Sequence, residues 1–306
     1  MIILDGGLGR QLEAMGAPFR QPEWSAAALI DGPHFVRAAH DAFIAAGADV
    51  ISTNSYAVVP HHIGKKMYAE RGDELLSIAA REAREAAAAA ERHVRVAASV
   101  PPMFGSYLPE AFDSASGRKM MKQFRQQLAP VADIFFGETF GSISEVTVFL
   151  DVFADVAADL WVSVTLEDVD VDPKNPRLRS GELLLDLLHA VERYRHDALL
   201  FNCSQPEVMG DAIRLARSTL DRFARQHGKA EPLIGVYANA FPLMDENYKG
   251  SNKAVHKLRT DITPENYTRF AQKWEALGAD IIGGCCGISP DHIAHLAATL
   301  RVTDAS

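Results

Sequence analysis

Asp280-Ile281-Ile282-Gly283-Gly284-Cys285-Cys286-Gly287 is a short apolar run that ends in glycines and two adjacent cysteines, and a helical pattern follows it. Such a run reads as a buried strand reaching its C-terminal end. The same order recurs about eighty residues upstream, where Ala198-Leu199-Leu200-Phe201 leads into Asn202-Cys203-Ser204. Outward from these two places, apolar runs alternate with longer amphipathic segments along the whole chain. Strands are expected at 2–5, 49–53, 94–100, 133–138, 160–166, 198–203, 232–238 and 279–285. Helices are expected at 33–46, 73–92, 119–132, 144–157, 181–195, 207–227, 264–277 and 290–301. Ser144 with Glu145, Thr263-Pro264-Glu265 and Ser289-Pro290-Asp291 supply entry signals, and Gly47, Gly228 and Gly278 fit helix ends. Eight strand–helix units in succession predict a parallel sheet with helices outside, and eight is the number that closes a barrel. An open doubly wound sheet is the alternative, but no Gly-x-Gly-x-x-Gly follows the first strand. No linker or composition break divides residues 1–306. The expected fold is α/β, a single-domain (β/α)8 TIM-type barrel.

Composition narrows the function classes. Hydrophobic content of 48% and charged content of 23% are those of a soluble globular protein. A net charge of -9 argues against nucleic acid or an anionic membrane as partner. No apolar run approaches the roughly 18–20 residues that span a bilayer, and the N-terminus lacks the marks of a secretory signal. A cytoplasmic location is therefore expected, with small molecules as partners, and the sequence leaves the oligomeric state open. Three cysteines without a secretory signal make a disulfide framework improbable and favour metal or catalytic use.

Those three cysteines, Cys203, Cys285 and Cys286, each end a predicted strand. Catalytic zinc typically keeps three protein ligands and one open position, so three thiols at one barrel mouth point to one metal with a vacancy. Neighbours on a regular strand face opposite ways, so Cys285 and Cys286 meet at one ion only if the chain leaves the strand there. The flanking Gly283, Gly284 and Gly287 permit such a bend. Three buried small residues, or a vicinal disulfide, is the bland alternative. A phosphate cradle at Gly283-Gly284 is another, less attractive beside two cysteines.

Other strand ends carry polar residues: Asp5-Gly6-Gly7, Thr53-Asn54-Ser55-Tyr56 and Glu138-Thr139-Phe140. Two carboxylates, Asp5 and Glu138, at the same mouth as a thiolate metal suit a substrate ammonium group. The loops 167–180 and 239–261 are longer than strand–helix units need, and in a barrel they lie on the active-site face. His61-His62 form no convincing second metal set. No nucleophile elbow or Walker loop is present.

On these residues the chain resembles the homocysteine S-methyltransferases, which include betaine- and S-methylmethionine-dependent enzymes and the homocysteine half of cobalamin-dependent methionine synthase. The likeness runs nearly end to end through Leu4-Asp5-Gly6-Gly7-Leu8-Gly9, Thr53-Asn54-Ser55-Tyr56, Gly137-Glu138-Thr139-Phe140, Asn202-Cys203-Ser204 and Gly283-Gly284-Cys285-Cys286-Gly287. The resemblance implies a (β/α)8 barrel with zinc on Cys203, Cys285 and Cys286. It implies that Asp5 and Glu138 bind the amino group of homocysteine, and that backbone around Gly6 and Gly7, with Thr53, holds its carboxylate. There are departures. Arg10 stands near the place of a frequent family threonine, Val100-Pro101-Pro102-Met103-Phe104-Gly105-Ser106-Tyr107 replaces a Gly-Pro-x-Gly-Ala pattern, and Thr139 replaces the tyrosine of betaine-using members. These bear on the methyl donor, for which a sulfonium such as S-methylmethionine is expected. The rival expectations are the same chemistry on another acceptor such as selenocysteine, and a non-catalytic zinc- or amino-acid-binding barrel.

Overall fold

The computed structural model describes residues 1–228, 230–243 and 257–303. Its strands are β1 (Ile2–Ile3), β2 (Val50–Ser52), β3 (Arg95–Val100), β4 (Ile134–Phe140), β5 (Asp159–Val164), β6 (Ala198–Asn202), β7 (Leu233–Tyr237) and β8 (Ile281–Ile282). They form one parallel sheet in the order β1-β8-β7-β6-β5-β4-β3-β2. The two ends of that order meet. Leu4 bridges Val50, Asp5 N–H donates to the Val50 carbonyl at 3.0 Å, and Asp49 N–H donates to the Ile3 carbonyl at 2.7 Å. The result is a nearly closed (β/α)8 barrel, which hides the strand edges an open sheet would leave.

One main helix follows each strand: Pro33–Ala45, Lys65–Ala89, Ser114–Leu128, Ile143–Val152, Leu184–Val191, Met209–His227, Pro264–Ala276 and Pro290–Thr303. The second and third begin earlier than their apolar pattern predicts, because their first turns lie largely in solvent and carry no apolar stripe. Ser142, not Ser144, caps the fourth. Its hydroxyl accepts from Glu145 N–H while the Glu145 carboxylate reaches back to the Ser142 amide, a reciprocal box. Thr263 caps the seventh as expected. Short helices at Leu8–Ala14, Ala26–Asp31 and Pro60–Ile63 occupy the loops after β1 and β2. No helix among the described residues is long and apolar enough to cross a membrane.

Strand alternation sorts the core into two layers. One lies under the helices. The other fills the barrel with Leu4, Val50, Ala97, Ile134, Phe136, Trp161, Ala198, Leu200, Tyr237 and Ile281. Two residues beyond Val50, Ala97, Phe136, Trp161 and Leu200, on the same inward register, stand Ser52, Ser99, Glu138, Ser163 and Asn202. The interior thus turns polar at the C-terminal mouth.

The opposite end carries a repeated brace. Asp49, Asp133, Asp197 and Asp280 each stand directly before an even-numbered strand. Each carboxylate accepts from a backbone N–H near the start of the preceding odd-numbered strand: Ile3 (2.9 Å), Val96 (2.8 Å), Leu160 (2.7 Å) and Ile234 (2.9 Å). Arginines pair with all four: Arg92 and Arg301 with Asp49, Arg84 with Asp133, Arg195 with Asp197 and Arg217 with Asp280.

Candidate metal centre and active site

Cys203 follows β6 with φ of +51°, a left-handed conformation uncommon outside glycine and held here by its neighbours. Asn202 accepts from the Ser163 hydroxyl at 2.7 Å and donates to Thr139 Oγ1 at 2.8 Å. The Cys203 carbonyl accepts from the Tyr107 hydroxyl at 3.2 Å, and Ser204 Oγ accepts from Leu166 N–H at 2.8 Å.

β8 ends at Ile282, three residues short of the expected limit, and Cys285 and Cys286 lie in a turn. Ile288 N–H donates to the Cys285 carbonyl at 3.1 Å. Gly287 occupies the third position of that turn with φ of +87°, where a type II turn requires a positive angle. Leaving the strand is what lets adjacent cysteines serve one site. Gly7 belongs to the same packing: a Cβ there would meet the Cys285 carbonyl oxygen at 2.5 Å, and its amide donates to the Ile288 carbonyl at 2.8 Å. A phosphate cradle does not form, since Gly283 N–H donates to Val236 and Gly284 N–H to Asp5.

The three sulfurs lie within 4.8 Å of one another, and among the described residues they are the only such group of three or more potential ligands. Cys203 and Cys285 are joined as a disulfide with Cα atoms 5.8 Å apart, and Cys286 is a free thiol. This single pair makes no disulfide framework, and it is not the vicinal pair of the alternative reading. The turn brings Cys285 to the sequence-distant Cys203. Reduced, the cluster offers three soft donors from two loops and no fourth protein ligand, a set that fits a thiophilic metal ion with one position open. Desolvation pushes the Cys286 thiol up to about 11, partly offset by the charge of Arg10.

Both expected carboxylates line the same cavity, of about 190 Å³. Asp5 accepts from Ser52 N–H at 2.7 Å and from the Ser52 hydroxyl at 3.2 Å. Burial holds it well above the usual carboxylate range, and the nearby charge of Glu138 adds to that. Glu138 accepts from the Ser99 hydroxyl and from the Tyr237 hydroxyl, the latter at 3.1 Å. Burial raises it to about 7 despite these bonds. Two acids desolvated together in one cavity favour a cationic ligand group beside them. Aromatic rings (Phe19, Trp24, Tyr56, Tyr107 and Phe241) supply much of the remaining wall.

Of the groups expected to hold a carboxylate, Thr53 and Gly7 have other partners. Ser55 Oγ donates to the Ser99 carbonyl at 2.7 Å, so the Thr53 hydroxyl, 2.8 Å away, donates to Ser55 while accepting from Ser99 N–H at 3.0 Å. The Gly7 amide is engaged as described; the Gly6 amide makes no such bond among the described residues.

The long loop 167–180 braces the segment that carries Cys203. Buried Asp168 pairs with Arg179 at 2.9 Å and accepts from Gln205 N–H at 3.3 Å, while the Arg179 guanidinium lies 5.0 Å from the Tyr107 ring centre. Of the loop 239–261, residues 244–256 lie outside the described residues. Its near part places Phe241 in the cavity wall, and Ala240 N–H donates to the Cys286 carbonyl at 2.8 Å. His62 reaches the cavity edge with Nδ1 3.2 Å from the Pro22 carbonyl, and neither it nor His61 joins a metal cluster.

Sequence reading passed over Ser99, Ser163 and Tyr237, although polar residues on the inward register of apolar strands signal them. Tyr107 and Asp168 carry no comparable local signal.

Comparison with known proteins agrees with this geometry. Residues 2–300 match the family described as Homocysteine S-methyltransferase. Homocysteine S-methyltransferase 1 of Zea mays is 28% identical, over 98% of this chain and 94% of its own length. Selenocysteine methyltransferase of Astragalus bisulcatus is 25% identical, over 95% and 90%. The metallated crystal form of the Escherichia coli homocysteine methyltransferase MmuM superposes with a TM-score of 0.75 at 25% identity, covering 97% of this chain and 96% of that one. The match spans the whole barrel and sets aside a non-catalytic binding protein. With its two cysteine loops, paired carboxylates and barrel frame, the chain belongs to the homocysteine S-methyltransferase family and is a methyltransferase enzyme.

Proposed function

We propose that this enzyme transfers a methyl group from a sulfonium donor, with S-methylmethionine favoured, to the sulfur of L-homocysteine, giving methionine. The observation that carries this reading is the convergence of three sulfurs within 4.8 Å beside a cavity that also holds Asp5 and Glu138. Zinc held by Cys203, Cys285 and Cys286 would keep the acceptor sulfur as a thiolate, the nucleophilic form, at neutral pH.

The chain's own residues supply the rest. Asp5 and Glu138 receive the acceptor's ammonium group, and Ser52, Ser99 and Tyr237 aim the two carboxylates. Aromatic faces in the wall attract the cationic donor without offering it a competing nucleophile. The cavity holds acceptor sulfur, methyl carbon and leaving sulfur in line. As the new carbon–sulfur bond forms, the donor's carbon–sulfonium bond breaks and its electron pair stays on the leaving sulfur. With S-methylmethionine the products are two methionines and one proton. Likeness to a selenocysteine methyltransferase supports a second acceptor, tested by competition in the same assay.

Zinc-edge X-ray absorption on reduced protein tests the core of this reading. Three sulfurs and one light atom, becoming four sulfurs when L-homocysteine is added, is the expected result. An unchanged shell, or no zinc, would overturn it. Cys286→Ala is expected to lower zinc occupancy and turnover together with an unchanged circular dichroism spectrum; full turnover without zinc contradicts the mechanism.

A further inference from the structure

Arg10 is the only lysine or arginine among the described residues that line the cavity. It lies in the first turn of the helix Leu8–Ala14, directly after the Asp5-Gly6-Gly7 turn, so its backbone is tied to the site. Gln11 N–H donates to the Gly7 carbonyl at 3.1 Å. The guanidinium lies 5.8 Å from the Phe241 ring centre, with Nη1 2.6 Å from the Glu13 carboxylate. The Arg10 side chain is 15% exposed and that of Glu13 41%, so solvent screens Glu13 more than the arginine.

Each amino-acid substrate of the proposed reaction brings a carboxylate into walls whose exposed surface is mostly apolar. A buried carboxylate needs a counter-charge or several donors. The Thr53 proton and the Gly7 amide already have protein acceptors, which leaves the Gly6 amide from the expected set. A guanidinium presents five N–H donors in a planar fork that matches a carboxylate, and Glu13 is one of the partners of Arg10.

We propose that Arg10 receives the α-carboxylate of an amino-acid substrate in this cavity, an assignment that rests on the methyl-transfer reading above. It makes Arg10 a specificity-determining residue: the enzyme would select substrates that carry both an ammonium and a carboxylate group, placed between the acidic pair and the arginine. The carboxylate belongs either to the acceptor or to the donor.

Steady-state kinetics of reduced, zinc-loaded wild type, Arg10→Gln and Arg10→Lys decides this. Homocysteine and S-methylmethionine are varied in turn, then each is replaced by its carboxylate-free counterpart, 3-mercaptopropylamine or (3-aminopropyl)dimethylsulfonium. Arg10→Gln is expected to raise KM on the order of 10- to 100-fold for the substrate whose carboxylate is held, with kcat changed much less. The counterpart lacking the carboxylate loses no affinity from the substitution, and Arg10→Lys falls between, keeping the charge without the fork. A rise for homocysteine assigns the acceptor's carboxylate, and a rise for the sulfonium assigns the donor's. Equal losses with and without the carboxylate, or no rise for either substrate, overturn the proposal. If wild type transfers no methyl group from any sulfonium, the reading of function fails instead. Calorimetric binding of homocysteine against 3-mercaptopropylamine to wild type and Arg10→Gln then tests Arg10 alone, and an equal preference in the two proteins overturns it.

Discussion

Glu138 is desolvated among hydroxyl donors, and its charge adds to the burial that raises Asp5. Its carboxyl titrates at about 7 in the cavity without substrate, and only the ionised form pairs with an ammonium group. The sign follows directly. As pH falls through 7 the group takes up a proton, so kcat/KM for homocysteine falls below that point, approaching tenfold per pH unit. Glu138→Gln is expected to lower kcat/KM by the equivalent of about 2–5 kcal/mol, the cost of a buried charge losing its partner. It should also remove the limb near 7 that belongs to the Glu138 carboxyl. A pH profile of the variant with its limb still near 7 would assign that titration elsewhere. At this scale Asp5, Glu138 and the three cysteines were legible as residue types at strand ends. The hydroxyls of Ser99 and Tyr237 were not, since what makes them matter is the carboxylate across the barrel.

Among the elements, the helix after β4 shows how a local signal is read two residues off. Ser144 followed by Glu145 looks like an entry signal, but the box closes between Ser142 and Glu145. The Glu145 carboxylate accepts from the Gly141 and Ser142 amides at 2.8 and 3.1 Å, so it satisfies donors that are otherwise buried. Ser142→Ala is expected to lower stability in urea unfolding by about 1 kcal/mol, and Ser144→Ala to stay within about 0.5 kcal/mol of wild type. The reverse order would return the cap to Ser144. β8 shows the same limit differently. Residues 279–285 look like one strand, yet β8 ends at Ile282, and a side chain at Gly283 or Gly284 would meet Leu4, Asp5 or Ile288.

The whole barrel is braced at the end away from the site, where four aspartates tie the strands together in pairs. Asp197→Ala removes the acceptor of the Leu160 amide, and Leu160 is fully buried. The expected loss is about 1–3 kcal/mol in chemical unfolding, with homocysteine kinetics unchanged because the site lies at the other mouth. A loss of turnover without a loss of stability would contradict this separation. Eight parallel strands buried on both faces read as continuous apolar runs, which is why the architecture was visible at 2–5 through 279–285 without coordinates. The aspartate brace was not, since each member is an ordinary charged residue until the preceding strand lies beside it.

The sequence by itself determined the strand–helix alternation, the barrel class and the residue types that meet at the mouth, because burial periodicity and strand ends are properties of local order along the chain. Only the tertiary structure decided that Cys285 and Cys286 share a turn with Cys203 opposite, that the Thr53 proton is committed to Ser55, and that Arg10 faces the same cavity as Asp5 and Glu138. Those outcomes depend on distances between residues far apart in the chain, and closure of the barrel sets them.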